Sequence, residues 1–340
     1  MTNDDQASTH RAHLEELCSE GGPLTAHSRH ATTQNPEWFN VKRQQPRQER
    51  RALHNEILAA FVASKPEVLR NRKAIVLAGP PGVGKSTAQD ALIAQTRTRP
   101  EQWLSINPDD FKDDLLVQAR ADGSYESYMV PDEVRELEAK GEKFYPRELA
   151  ALVHNESSIL AKKAIRDAID RGDNIVIDGT LSGEKNARMQ MDVLQTAGYD
   201  VKVADVETTQ ALSEARTLGR WERGYLAAEN GTAVDRDAVL GGRWVPLSFP
   251  ASLFAAADDK ESICAANAAA VAKDYGCVSE YVVYRVRDEH GAPKLETVQG
   301  RVTGGGPLVD GETLAAVKAA STPRAESQRR LTPKETDFGR

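Results

Sequence analysis

The run from Gly79 to Thr87 constrains this chain more than any other feature. It reads Gly-Pro-Pro-Gly-Val-Gly-Lys-Ser-Thr and fits the phosphate-binding pattern G-x-x-x-x-G-K-[ST] at every position. The apolar run Lys73–Ala78 before it predicts a buried strand, and Ser86–Thr96 after it predicts a helix because it lacks helix-breaking residues. The pattern requires this strand–loop–helix context, so the sequence predicts a nucleotide-binding site.

The loop predicts a role for most of its residues. Its glycines let the backbone curve around phosphate oxygens, presenting N–H groups and the positive end of a helix to negative charge. We expect Lys85 to reach the β- and γ-phosphates and Ser86 to hold Mg²⁺. The loop alone does not separate a kinase from an ATPase or a GTPase. The predicted nucleotide-binding residues are Gly79, Gly82, Val83, Gly84, Lys85, Ser86 and Thr87.

Composition restricts the setting in which the chain works. The formal net charge of −7 over 340 residues argues against broad nucleic-acid binding. No stretch approaches the roughly 20 apolar residues that span a bilayer, and the first residues do not resemble a signal peptide. The three cysteines are far apart and lack metal-ligand spacing, which is typical of reduced thiols. The sequence therefore predicts a cytoplasmic protein without a membrane partner.

Alternating apolar runs and helical segments predict the fold class. Helical segments lie between most of the apolar runs, which is the pattern of a three-layer α/β domain with a parallel sheet of the P-loop NTPase type. The predicted parallel strands are Ala74–Ala78, Trp103–Ile106, Asn174–Ile177, Val201–Val206 and Tyr281–Val286.

The two ends of the chain differ in character from its middle. Residues 1–45 are polar and predict a mobile or weakly helical arm, and an amphipathic helix is expected over residues 47–63. We assign residues 46–290 to the kinase-like domain. Residues 291–340 are expected to form a C-terminal extension with a small β-hairpin and to be largely disordered after residue 321.

Acidic residues follow the second predicted strand. Ligands of parallel sheets sit at the carboxyl ends of the strands, so Asp109 and Asp110 are expected to face the nucleotide, with Asp113 and Asp114 close behind. At least one of the four could accept a proton from an attacking hydroxyl, which is the role of the base in kinases. The alternative is that they are helix N-terminal acids stabilised by the helix dipole.

Polar residues also follow the third predicted strand, and a carboxylate lies on the apolar face of the helix before it. Asp178 ends an apolar strand, a usual place for an acid associated with Mg²⁺, and Thr180 adds a hydroxyl; an Asp-Gly turn is the alternative. Glu156 lies on the apolar face of a helix predicted from about Pro146 to Arg171. A carboxylate there needs a partner, so Glu156 either contacts a substrate hydroxyl or occupies a partly exposed edge.

Basic residues after the fourth strand could neutralise phosphate charge. Arg216, Arg220 and Arg223 share one helix face, and Arg243 follows a Gly-Gly pair that could act as a hinge. The alternative for some of them is a solvated basic face. Lys185 and Arg188 could likewise either neutralise phosphate charge or lie on a solvated surface.

Taken in order, these motifs resemble the zeta-toxin family of P-loop kinases. The resemblance covers roughly residues 45–250. The shared pieces are Gly79–Thr87, Asp109-Asp110-Phe111, Gly172-Asp173-Asn174, Ile177-Asp178-Gly179-Thr180, Ala197-Gly198-Tyr199 and Gly219-Arg220-Trp221-Glu222.

The resemblance implies an activity, cofactors and a partner. Members of this family use Mg-ATP to phosphorylate the 3′-hydroxyl of the sugar in UDP-N-acetylglucosamine, which stops cell-wall synthesis. A small helical antitoxin blocks their ATP site. The resemblance therefore implies ATP and Mg²⁺ as cofactors, a nucleotide sugar as acceptor and an antitoxin as a possible protein partner.

The resemblance also assigns roles to individual residues. Lys85 would bind the phosphates of ATP, Ser86 would bind Mg²⁺, and Asp109 would be the general base. The two phosphate-clamping, catalytic arginines would be Arg220 and Arg243. The residues implied on the substrate side are Phe111, Glu156, Asp178 and Thr180.

Two departures from the family leave the acceptor open. Ser182 stands where some members have Arg, and Glu156 lies earlier in the chain, relative to Asp178, than the substrate-binding Glu of those members. Both positions belong to the substrate side. The alternatives are another acceptor, namely an antibiotic, NAD or a polynucleotide end, or a nucleotide-switched ATPase or binding module.

Overall fold

A computed structural model describes residues 3–321 of the chain, and the disorder expected after residue 321 lies outside the described residues. The described α-helices are α1 (Asn3–Leu17), α2 (Gln48–Ala63), α3 (Lys85–Gln95), α4 (Pro108–Ala121), α5 (Asp132–Glu138), α6 (His154–Arg171), α7 (Glu184–Thr196), α8 (Gln210–Glu229), α9 (Asp235–Leu240), α10 (Ser248–Ala251), α11 (Ile263–Asp274) and α12 (Gly311–Ser321). The strands are β1 (Phe39–Asn40), β2 (Gln45–Pro46), β3 (Lys73–Ala78), β4 (Leu104–Ile106), β5 (Ile175–Ile177), β6 (Asp200–Glu207), β7 (Val278–Arg285), β8 (Lys294–Arg301) and β9 (Leu308–Asp310).

One mostly parallel sheet organises the described part of the chain. Its strand order is β4-β5-β3-β6-β7-β8-β9, and the first five of these strands run parallel to their neighbours. Strand β3 lies in the interior and pairs with β6 from Lys73 opposite Asp200 to Ala78 opposite Asp205. Because β3 is covered on both faces, its sequence is a continuous apolar run rather than an alternating one. The predicted parallel sheet is confirmed.

The side chains of β3 alternate between two cores. Val76 packs into the larger core, and Ile75 and Leu77 pack into the smaller core on the other face of the sheet. Helices therefore cover both faces and give the three layers that the sequence predicted. The carboxyl ends of β3, β4 and β5 meet at one edge, where the site described below is found.

The N-terminal segment is held more firmly than the sequence predicted. The His10 side chain of α1 is 1% exposed, stacks on Tyr225 at 4.7 Å and lies 3.0 Å from Glu148 through its Nε2 atom. Leu14 and Leu24 are fully buried. The segment is helical over α1, but the weak hold that its polar composition predicted is not observed, because these contacts come from parts of the chain more than 100 residues away.

The predicted boundary at residue 290 does not coincide with a break in the sheet. Strand β8 pairs antiparallel with β7, and β9 pairs with β8, so the expected hairpin extends the main sheet. The helix predicted from Pro146 to Arg171 is also divided: Pro146–Val153 is a 3₁₀ helix and α6 follows it. Among residues 3–321, no helix combines the length and apolar character needed to cross a membrane.

Candidate functional site

The phosphate-binding loop joins β3 to α3 in the geometry that its glycines require. Gly84 caps α3 with a φ of 78°, a left-handed conformation that costs glycine little. A Cβ atom at Gly79 would collide with the carbonyl oxygen of Val206 in β6. Lys85 Nζ donates to the carbonyl oxygens of Gly79 and Pro80, both at 3.3 Å. The loop is therefore folded around its lysine at the edge of the sheet.

A cavity of about 710 Å³, here called the phosphate-loop cavity, opens above this loop. Five of the predicted nucleotide-binding residues line it, whereas Gly79 and Thr87 flank the loop without lining it. All three arginines that share a face of α8 line the same cavity. The lining residues are Gly82, Val83, Gly84, Lys85, Ser86, Asp178, Arg216, Arg220, Arg223, Glu289 and His290.

Arg216 ties the β7–β8 turn to the phosphate-binding loop. Its Nε atom donates to the Gly82 carbonyl at 2.6 Å, and its Nη1 atom donates to the carbonyls of Glu289 and Gly291, both at 2.9 Å. This guanidinium holds two backbone segments together, and the turn brings His290 to the cavity. The sequence did not indicate that the C-terminal hairpin would reach the nucleotide-binding loop.

Asp109 is held by two cations at the start of α4. Its carboxylate lies 2.9 Å from Lys112 Nζ and 2.6 Å from Arg243 Nη1. Burial alone would raise the pKa of Asp109, but the charges of Lys112 and Arg243 outweigh that effect and hold the pKa well below its usual range. Asn107 caps the helix by accepting a hydrogen bond from the Asp109 N–H at 2.9 Å. The carboxylate is thus ionised and fixed.

The other acids of this group have different surroundings. Asp113 is paired with Arg147 at 2.7 Å, and Asp114 is paired with Arg236 at 2.8 Å. Asp110 is exposed and lines neither the phosphate-loop cavity nor its neighbour. Of the four candidates, Asp109 is the one that the fold brings to the site.

A second cavity of about 510 Å³ adjoins the first and is here called the Asp109 cavity. It shares Gly82, Lys85, Asp178 and Arg220 with the phosphate-loop cavity. Its other lining residues include Asp109, Thr180 and Arg243, all three predicted for the site. The two cavities therefore meet at a lysine, an arginine and a carboxylate, and Asp109 stands on the far side of that junction.

Arg220 and Arg223 provide unused positive charge. Neither guanidinium has a hydrogen bond or an ion pair with any residue in the range 3–321. Burial and the nearby Arg243 lower the pKa of Arg220, which remains a cation at neutral pH. An unpaired arginine beside a phosphate-binding loop is electrostatically prepared for an anion.

Two side chains of the phosphate-loop cavity carry oxygen atoms that suit a magnesium ion. Ser86 and Asp178 line the same cavity, and Asn107 Nδ2 donates to Asp178 at 3.0 Å. Burial raises the pKa of Asp178 although Lys85 opposes the shift, so a second cation beside it would relieve the carboxylate. Mg²⁺ typically takes one or two such ligands together with phosphates and water. Within the described residues no cluster of three His, Cys, Asp or Glu could replace that arrangement.

Glu156 does not reach the site, which corrects the prediction of a substrate contact. Its side chain is 0% exposed and accepts hydrogen bonds from Arg50 Nε at 2.6 Å and Nη2 at 2.8 Å. His54 Nε2 lies 2.6 Å from the same carboxylate. These partners lower the pKa of Glu156 to about 2 against the opposing effect of burial. The partly exposed edge offered as the alternative was wrong as well.

Phe111 also lies away from the cavities, contrary to the role implied on the substrate side. It is 1% exposed and packs edge-on against Phe61 of α2 with ring centroids 5.1 Å apart. Its ring anchors α4 in the larger core and so supports Asp109 indirectly. Arg188 pairs with Glu184 and Asp274 on the surface, and Lys185 is exposed outside both cavities.

Several residues of the site were missed from the sequence. Lys112 could have been found from its spacing of three from Asp109 on one helix. His154, Ala26 and Phe249 line the Asp109 cavity but follow no motif, so no local signal would have indicated them. The surrounding protein and the nearby Lys112 lower the pKa of His154, which favours a neutral imidazole.

Comparison with known proteins finds one family model and several solved structures that resemble the chain. The family model described as Zeta toxin matches residues 59–285, well over half of the chain. No curated protein matches the chain. A structure of the PezAT chromosomal toxin–antitoxin system of the human pathogen Streptococcus pneumoniae aligns at 16% identity with a TM-score of 0.44, covering 69% of this chain and 76% of that chain. A crystal structure of AvrRxo1-ORF1:-ORF2 with ATP aligns at 18% identity with a TM-score of 0.49, covering 83% of this chain and 76% of that chain.

The family match begins in α2 and ends in β7, and it includes the phosphate-binding loop, Asp109, Asp178 and the arginines of the site. The resemblance inferred from the motifs is confirmed. The chain belongs to the zeta toxin family of kinases.

Proposed function

We propose that this protein is an ATP-dependent kinase that phosphorylates a sugar hydroxyl of UDP-N-acetylglucosamine or a related nucleotide sugar. The observation that carries the proposal is the junction of two cavities, one above the phosphate-binding loop and one containing Asp109. A nucleotide hydrolase needs only the first cavity and a water molecule. A kinase needs a second cavity of molecular size for its acceptor, with a base at the boundary.

The residues at the junction suit phosphoryl transfer between the two cavities. Catalysis of this reaction is mostly positioning and stabilisation of charge on the transferred group. Lys85 and Arg220 line both cavities, and Arg243 lies beside Asp109, so three cations surround the path of transfer. Ser86 and Asp178 would hold Mg²⁺, which when bound would neutralise charge on the β- and γ-phosphates.

Asp109 is the proposed general base. The hydroxyl to be phosphorylated would lie in the Asp109 cavity and pass its proton to this carboxylate as the new bond to phosphorus forms. In the free protein Lys112 and Arg243 make Asp109 a weak base. Arg243 could turn from Asp109 to the transferred phosphoryl group, which would leave Lys112 as the remaining cation and strengthen the base.

Charge favours an anionic acceptor over a neutral sugar or a cationic antibiotic. Four cations line the Asp109 cavity, namely Lys85, Lys112, Arg220 and Arg243, against the two carboxylates of Asp109 and Asp178. The diphosphate of a nucleotide sugar would be attracted by that excess. Family membership supports the same class of acceptor, and it supports a role as a toxin that inhibits cell-wall synthesis and is neutralised by a small helical antitoxin.

A transfer assay with labelled ATP tests the proposal. The γ-³²P label is offered with UDP-N-acetylglucosamine, other nucleotide sugars, NAD, an aminoglycoside and an oligonucleotide, and the products are separated. Asp109→Asn is the test variant, and Asp110→Asn is the matched control because this adjacent carboxylate lines neither cavity. We expect label on a nucleotide sugar, a loss of at least about 100-fold in Asp109→Asn and little change in Asp110→Asn.

Each other outcome reassigns the function. Label on NAD, the aminoglycoside or the oligonucleotide would keep the kinase and replace its acceptor. Release of free phosphate that no acceptor stimulates would contradict the kinase proposal and favour an ATPase. Equal rates in the two aspartate variants would rule out Asp109 as the base.

A further inference from the structure

The wall of the Asp109 cavity includes a residue from outside the matched part of the family. Ala26 lines this cavity, and it precedes residue 59, where the family match begins. The neighbouring lining residues Ala151, His154 and Ser158 belong to the start of α6 and the 3₁₀ turn before it. The catalytic machinery of the family thus meets an additional stretch of chain at this point.

Hydrogen bonds and buried side chains hold the segment that carries Ala26 in place. Asn155 Nδ2 donates to the Ala26 carbonyl at 2.9 Å, on the first turn of α6. Tyr128 donates its hydroxyl to the carbonyl of Arg29 at 2.6 Å. Leu24 and Ala31 are buried on either side. The position of Ala26 relative to α6 is therefore set by hydrogen bonds and packing.

The lining of the cavity includes both charged and apolar residues. Its charged part contains Asp109 and the cations of the junction, whereas Ala26, Val245, Pro246 and Phe249 contribute apolar surface. Phe249 is 41% exposed, so its ring offers apolar surface that a molecule in the cavity could contact. An acceptor in this cavity would meet cations at its anionic part and these apolar side chains at an uncharged part.

We propose that the segment 24–35 is a specificity element for the acceptor and that the small side chain of Ala26 sets the size of acceptor that the Asp109 cavity admits. The proposal rests on the proposed kinase function. The acceptor class is a nucleotide-linked sugar, whose uncharged portion would lie against Ala26 and Phe249. A larger residue at position 26 would occupy part of the space that the acceptor needs.

Graded substitution of Ala26 tests this proposal in the full-length protein. Ala26→Val and Ala26→Trp add increasing volume, and Arg29→Trp places the same indole on an exposed position of the same segment. Binding of UDP-N-acetylglucosamine and the rest of the acceptor panel to the ADP-loaded protein is measured by calorimetry, alongside ADP affinity and thermal unfolding. We expect acceptor affinity to fall about two- to three-fold in Ala26→Val and at least about ten-fold in Ala26→Trp. Arg29→Trp should bind the acceptor as wild type does, and all three variants should keep the wild-type affinity for ADP.

Binding and transfer separate this inference from the proposed function. Acceptor binding that weakens with side-chain volume at position 26 supports the inference even where wild type transfers no label, a result that would defeat only the kinase proposal. Acceptor affinity that is equal in wild type and the two Ala26 variants would overturn the inference. Failure of the wild type to bind any acceptor of the panel would overturn it as well. If Ala26→Trp fails to fold, the smaller change in Ala26→Val still tests the inference.

Discussion

Replacing Arg50 with Met should destabilise the protein while leaving nucleotide binding intact. Glu156 is 0% exposed, and two of its hydrogen bonds come from the Arg50 guanidinium, which is itself 6% exposed. Removal of one member of a buried ion pair leaves the other charged and without its partner, which costs about 3–5 kcal/mol. His54 stays beside Glu156, so we expect the lower end of that range.

A second contact adds to the cost. The guanidinium carbon of Arg50 lies 4.5 Å from the centroid of the Trp38 ring, an arrangement that contributes about 0.5–1 kcal/mol. The total of about 3–4 kcal/mol corresponds to a fall in melting temperature of about 4–6 °C for a protein of this size. Arg51→Met is the matched control, because Arg51 is the exposed neighbour on the same helix. Exposed substitutions usually change stability by about 0.5 kcal/mol or less.

Thermal unfolding and nucleotide binding of the two variants decide the question. Equal melting temperatures in Arg50→Met and Arg51→Met would refute the buried ion pair. The double variant Arg50→Met/Glu156→Leu supplies the complementary result, since replacing both charges by apolar groups is often neutral. It should recover most of the lost stability. A double variant that remains as unstable as Arg50→Met would contradict the assignment of the lost stability to an unpaired buried charge.

Three further predictions follow from charges elsewhere in the site and the fold. Lys112→Met removes a cation from Asp109, so the pKa of this carboxyl rises and the acidic limb of kcat/KM shifts to higher pH; a profile that superimposes on wild type contradicts this. Arg216→Ala releases the β7–β8 turn from the phosphate-binding loop, so KM for ATP should rise about ten-fold with kcat within about three-fold; an unchanged KM shows that the turn does not contribute. Burial opposes the charged form of His10, but Glu148 and Glu142 outweigh it and raise the pKa. The stabilisation by His10 is therefore complete below pH 6.5 and is lost as pH rises through the raised pKa, so the difference in melting temperature between wild type and His10→Gln should be larger at pH 6 than at pH 9.

The elements that could be predicted from the sequence are those whose physics is local. The phosphate-binding loop needs its glycines, its lysine and the flanking strand and helix within about 20 residues, and all of these are contiguous. Asp178 directly follows β5, and Asp109 comes shortly after the end of β4 in the first turn of α4, so both could be placed at the carboxyl edge of a parallel sheet. The topology of the fold converts these short-range signals into one cluster.

The errors concern side chains whose partners are distant in sequence. Glu156 was correctly recognised as a carboxylate on an apolar face that needs a partner, but Arg50 lies 106 residues away and nothing in the sequence links the two. The same reason explains the N-terminal segment. Its polar composition predicted a weak attachment, whereas the structure buries His10 between carboxylates that are 132 and 138 residues along the chain. A polar residue with distant partners can be as firmly held as an apolar one.

The parts of the chain outside the family match are those that complete the two cavities. The match ends at residue 285, and the turn that brings Glu289 and His290 to the phosphate-loop cavity follows directly. At the other end, Ala26 reaches the Asp109 cavity. The cations of the site, the proposed base Asp109 and the proposed magnesium ligands Ser86 and Asp178 lie within the matched residues, so the proposed reaction chemistry comes from the core of the fold. Both cavities thus have wall residues from outside the match, and if Ala26 selects the acceptor as proposed, substitution there changes the acceptor without altering the residues proposed for phosphoryl transfer.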